Sequence, residues 1–85
     1  MPITVAKNVL KLVGVVGVED AFALKESFLA LKREEEEVTL DMSELADFDF
    51  SLVQLLLAFK NEEKVSWVLP QREDLSSVLS LFGIC

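Results

Sequence analysis

Apolar positions switch between two periods along this chain. Residues Val9–Val16 (VLKLVGVV) are apolar and β-branched with a single lysine, which predicts a mostly buried strand. Residues 3–5 predict a short strand ahead of it. Gly17 ends the strand, and Asp20 is placed to cap a helix running to about Glu35. On a helical wheel Ala21, Leu24, Phe28 and Leu31 share one face, while Phe22 and Leu29 fall nearly opposite. The acidic run Glu34 to Glu37 opposes the dipole at the helix end, so the last turn is expected to give way to a solvated loop.

Val38, Leu40 and Met42 alternate with Thr39 and Asp41, the pattern of a second long strand. Residues 43–50 then read as a loop carrying Glu44, Asp47 and Asp49. Ser51 and Gln54 have the spacing of a capping box and open a helix over 51–61. That helix is apolar nearly all round: Leu52, Leu55, Leu56 and Phe59 share a face, with Val53 and Leu57 beside it. Such a helix is covered on two sides or offers an apolar surface to a partner. A third long strand spans 64–69 and stops at Pro70. A last helix over 72–82 places Leu75, Val78, Leu79 and Phe82 at helical spacing, with Gly83 suited to end it. The alternation of strands and helices predicts a single small α/β domain over 1–85, with a mixed sheet of about four strands, three helices and right-handed crossovers.

With 85 residues and 52% apolar content the chain is long enough for one core and too apolar for disorder. Its longest apolar run, Leu55 to Phe59, is far too short for a bilayer span, and the N-terminus lacks the pattern of a signal peptide. A cytoplasmic location is expected. The net charge of −7, from 15 acids against 8 bases, argues against nucleic acid and against anionic membrane surfaces. Histidine is absent and the one cysteine, Cys85, is terminal, which removes the commonest general base and transition-metal ligand and any internal disulfide. Cys85 itself is read as an incidental thiol. Asp41, Asp47 and Asp49 lie near a strand end, where carboxylates can take magnesium. Solvated loop and capping acids are the preferred reading, and no metal or other cofactor is expected. Ser51 lacks a histidine or nearby lysine to activate it, so it is read as a cap rather than a nucleophile.

Four segments together resemble the STAS domains, named for sulfate transporters and anti-sigma-factor antagonists. They are the strand ending at Gly14 with the helix carrying Ala21 and Leu24, the segment from Val38 to Leu45, the segment from Phe48 to Leu56, and the stretch from Leu75 to Ile84. The second is similar to the family's "apolar-x-Leu-Asp-Leu-Ser-x-Val", the third to its "Asp-Ser-Ser-Gly-Leu-x-x-Leu", and the fourth to its helix ending in apolar-x-Gly-Leu. Where regulated members carry the phosphate-accepting Ser or Thr, this chain has Phe50; Ser51 stands one place later, and Leu52 replaces the family glycine. The chain also ends at Cys85, where members usually continue with another strand and helix. The resemblance implies a non-enzymatic docking module, insensitive to phosphorylation at the usual position, with Asp47, Phe48, Asp49, Phe50, Ser51 and Leu52 as partner surface and Ser51 as the remaining candidate for phosphorylation. Implied partners are an anti-sigma-type kinase, a transporter ATPase or a larger regulatory complex. The alternative is a self-associating structural or adaptor subunit of a larger complex, such as a lipid-transport ATPase assembly. Phe22, Leu29, Val53 and Leu57 are the candidate self-association residues, and a two-fold homodimer is expected when no partner is present.

Overall fold

The computed structural model describes residues 2–84; Cys85 lies outside them. The strands are β1 (Ile3–Ala6), β2 (Val9–Val16), β3 (Val38–Phe48) and β4 (Val65–Val68), and the helices α1 (Ala21–Glu34), α2 (Phe50–Phe59) and α3 (Glu73–Leu81). They form one sheet in the order β1-β2-β3-β4. β1 and β2 make an antiparallel hairpin, whereas β2, β3 and β4 run parallel, so each parallel step carries a helix. The mixed four-stranded sheet and three helices match the architecture expected from the alternating periods.

One face of the sheet is covered. Leu10, Leu12, Val38, Leu40 and Met42 are fully buried in a core shared with Leu24 and Phe28 of α1, Leu52 and Leu56 of α2, and Leu79 of α3. The other face carries the rows Thr4, Lys11, Asp41, Val68 and Ala6, Val9, Thr39, Ser66, none of them buried. There Lys11 pairs with Glu44.

β3 is longer than its sequence suggests, and the expected loop over 43–50 is mostly strand. Lys11 pairs with Asp41 but Val13 pairs with Glu44, and Gly14 pairs with Leu45 but Val15 with Asp47. At each step β3 carries one residue more than β2. These bulges shift the inward positions of β3 to Val38, Leu40, Met42 and Leu45, so strict alternation stops at Met42 while pairing continues. Gly14 takes a φ of +74° at the second shift, a conformation that glycine adopts freely.

The start of α1 also differs in detail. A 3-10 turn over Val18–Asp20 precedes it, and the Asp20 carboxylate accepts from the Gly17 amide at 2.9 Å rather than from the helix it was expected to cap. α1 packs on α2, with Phe28 stacked on Phe59 at 3.8 Å between ring centroids. This contact explains the apolar circumference of α2: the sheet covers one side and α1 another. Val53 is 1% exposed and belongs to the core, so it is removed from the self-association candidates; Leu57 is half-buried and packs against the core.

α3 ends as Gly83 predicts. Gly83 has a φ of +79°, its amide donates to Ser80, and the Ile84 amide donates to Leu79. Ile84 and Leu79, the apolar pair of this motif, are both fully buried. Gly83→Ala is expected to cost about 1–2 kcal/mol, because a side chain disfavours this φ; the one close neighbour of a Cβ, Lys60 Nζ, ends a flexible side chain that can move aside. Urea melts of the two proteins measure it. An unchanged midpoint would mean that the motif can be lost without consequence.

A candidate docking surface at the carboxyl end of the sheet

The chain leaves β2 and β3 at the same end of the sheet. The Asp49 amide donates to the Val16 carbonyl at 3.0 Å, which ties the start of α2 to the end of β2. The 3-10 turn that follows β2 also packs against α2. Arg72, at the start of α3, donates through Nη1 to the Ala46 carbonyl at 2.9 Å and pairs with Asp74. Three connections therefore meet here, in the place where parallel sheets present ligand-binding residues.

Asp49, not Ser51, caps α2. Its carboxylate accepts from the Ser51 amide at 2.9 Å, and its backbone is extended, as a capping residue requires. That hydrogen bond, first, holds the Asp49 carboxyl below its ordinary range. The Ser51 hydroxyl lies near the same carboxylate but is buried without a hydrogen bond of good geometry. Ser51→Ala should therefore leave stability unchanged or raise it by up to about 1 kcal/mol, since it removes an unsatisfied buried hydroxyl. Asp49→Ala should lower the melting temperature. A carboxyl whose folded pKa is depressed stabilises the fold at pH values above its unfolded pKa, and that contribution disappears as pH falls through the folded value. The gap between wild type and Asp49→Ala should thus close in acid. Thermal melts from pH 7 down to 2 check the sign; a gap that widens in acid would contradict the cap.

The expected site residues separate into exposed and buried groups. Phe50 is 57% exposed, and Asp47 and Asp49 are at the surface. Phe48 is half-buried and packs on the core with part of its ring still accessible, while Leu52 is fully buried and presents no surface to a partner. Phe82, read as a core position of α3, is instead 41% exposed. Its ring meets the Phe50 ring edge-on, 6.0 Å between centroids. The helical spacing of Leu75 and Leu79 carries the burial of α3, and Ile84 beyond the Gly83 turn takes the core place assigned to Phe82. Val78 likewise points outward.

The three connections at this end of the sheet, segments 17–22, 46–52 and 72–74, carry Glu19, Asp20, Asp47, Asp49, Glu73 and Asp74, with Arg72 as their one base, while the Lys60 ammonium lies beside Gly83, next to Phe82. Asp41, Asp47 and Asp49 do not converge: each carboxylate accepts from a nearby backbone amide, Ser43, Phe48 and Ser51 respectively. Among the described residues there is no cluster of metal-ligating side chains and no pocket, and no helix is long and apolar enough to cross a membrane. The arrangement offers two exposed apolar rings beside acidic connections, suited to contact with a protein. A family model described as "Mlab, STAS domain" matches residues 2–83. No curated protein matches the chain, and no solved structure matches it.

Proposed function

The chain belongs to the STAS domain family, and from that premise we propose that it is a constitutive protein-docking module whose partner surface is the Phe50–Phe82 pair. STAS domains are in general protein-interaction and regulatory modules rather than enzymes. The observation that carries the reading is the exposed phenylalanine where regulated members have their phosphate acceptor. Phe50 has no hydroxyl, and the neighbouring Ser51 hydroxyl is shielded from solvent beside the Asp49 carboxylate. A surface built this way stays competent for binding at all times. It favours a standing partnership, such as a subunit bound to a transporter ATPase, over the switched partnership of an anti-sigma-factor antagonist with its kinase. Carboxylates around the rings call for a partner with an apolar socket edged by lysine or arginine.

The test is affinity capture from native cells with wild-type and Ser51→Glu baits, followed by mass spectrometry of the bait. Both baits should retain the same partner, and the recovered wild-type chain should carry no phosphate on Ser51. A partner held by wild type and released by Ser51→Glu, together with phosphate on Ser51, would mean that the switch has moved by one residue and that the module is regulated.

A further inference from the structure

β4 closes one side of the sheet, and its outer edge is unpaired. The Val38 amide donates to the Lys64 carbonyl at 3.0 Å, and the parallel register from Val38↔Val65 to Asp41↔Val68 then turns the backbone groups of Ser66 and Val68 toward β3. The amides and carbonyls of Val65 and Trp67 therefore point away from the sheet, and among the described residues no backbone group bonds to them. Nothing that commonly guards such an edge lies within Val65–Val68. The strand has no charge and no proline, and its register with β3 is unbroken by a bulge. On the core side, Val65 and Trp67 pack on the core yet stay partly open. On the other face Ser66 and Val68 are exposed. The opposite edge, β1, offers less on its core side, because Ile3 is already buried and Val5 alone is open.

What this edge lacks is an extended, uncharged strand with backbone groups to spare, and β4 is itself such a strand. Consider two copies set antiparallel about a two-fold axis that stands perpendicular to the sheet at Ser66. Val65 then faces the second copy's Trp67, Trp67 faces its Val65, and Ser66 faces Ser66. Val65 and Trp67 exchange both backbone hydrogen bonds with their opposites, so every outward group of the strand is used. Sliding the register by one residue would set outward groups against inward ones. The axis keeps both helix layers on the same face of one continuous sheet. Valine meets tryptophan on the core side, each pairing occurs twice, and no like charges meet along the strand in a chain of net charge −7. We propose that β4 pairs edge to edge with β4 of a second copy in this register, through a contact that uses neither Phe50 nor Phe82.

A single strand pair is a small interface, so the dissociation constant should lie on the order of 100 μM. Sedimentation equilibrium from about 1 to about 500 μM tests it on the wild-type chain and on two variants at the exposed Ser66. Ser66→Lys and Ser66→Glu should each weaken association at least about tenfold, with unchanged circular dichroism spectra, because like charges then face each other across the axis. A one-to-one mixture of the two should associate to within about threefold of wild type, since lysine then faces glutamate. Oxidative cross-linking in a Cys85→Ser background checks the register. Ser66→Cys should link to its copy at least about ten times faster than Val68→Cys, which stands off the axis, or Thr4→Cys, which stands on β1. A wild-type monomer at the highest concentration, a mixture that associates no better than either variant alone, or a link that forms as fast through Val68→Cys or Thr4→Cys as through Ser66→Cys would each overturn the proposal.

Discussion

Phe28→Ala is expected to be strongly destabilising, with a loss of about 3–5 kcal/mol. Phe28 is fully buried and stacked on Phe59, with 14° between the ring planes, so it is the side chain that joins α1 to α2 over the sheet. Truncating a buried phenylalanine costs about 3–5 kcal/mol, from lost burial and from the cavity left behind. A domain of this length has about 4–13 kcal/mol in total. The loss therefore takes from about a quarter to all of the margin. Phe28→Leu keeps most of the volume and should cost appreciably less. Phe22→Ala, on the opposite side of the same helix, should stay within about 0.5 kcal/mol of wild type at monomeric concentrations. Urea melts followed by Trp67 fluorescence compare the three. A cooperative transition for Phe28→Ala near the wild-type midpoint would mean that α1 and α2 are held together by something other than this stack.

The contrast between Phe22 and Phe28 is legible in the sequence, because a helix face shows in spacing alone. So are the parallel strands, the three helices and the Gly83 stop, each set by a local rule of period or backbone conformation. The features that spacing does not reveal are set by neighbours. Bulges against β2 shift the inward positions of β3 after Met42, and nothing in residues 43–48 announces pairing to a strand some thirty positions earlier. By spacing, Val53 is indistinguishable from an exposed position, and its burial is set by the packing of neighbouring elements on α2. Ser51 and Asp49 both satisfy capping preferences. Which one acts depends on where β3 ends, and the longer strand places Asp49 at the boundary. The docking surface is half legible: Phe50 follows from the resemblance, whereas the helical spacing of Phe82 with Leu75 and Leu79 does not reveal that Phe82 is exposed while Ile84 beyond the turn is buried.

Phe50→Asp should abolish partner binding while leaving the fold intact. The ring is more than half exposed and stands at the first position of α2, where an acid suits the positive end of the helix dipole. Little core is lost, so stability should be equal to wild type or slightly higher. The expected loss in affinity is about 30- to 1,000-fold, the range of a central aromatic anchor, with a carboxylate now facing an apolar socket. Phe82→Ala removes the edge-on neighbour and should cost about tenfold. The two effects should not add, because the rings touch and Phe82 acts partly by holding Phe50 in place. Wild-type affinity should also fall as salt rises from 50 to 500 mM, since the carboxylates around the rings attract the partner's bases and salt screens them. Calorimetric titration of the captured partner measures all three. Unchanged affinity for Phe50→Asp in a folded protein would remove this end of the sheet as the docking surface. Binding that is lost with Leu29→Glu but kept with Phe50→Asp would move the partner to the outer face of α1.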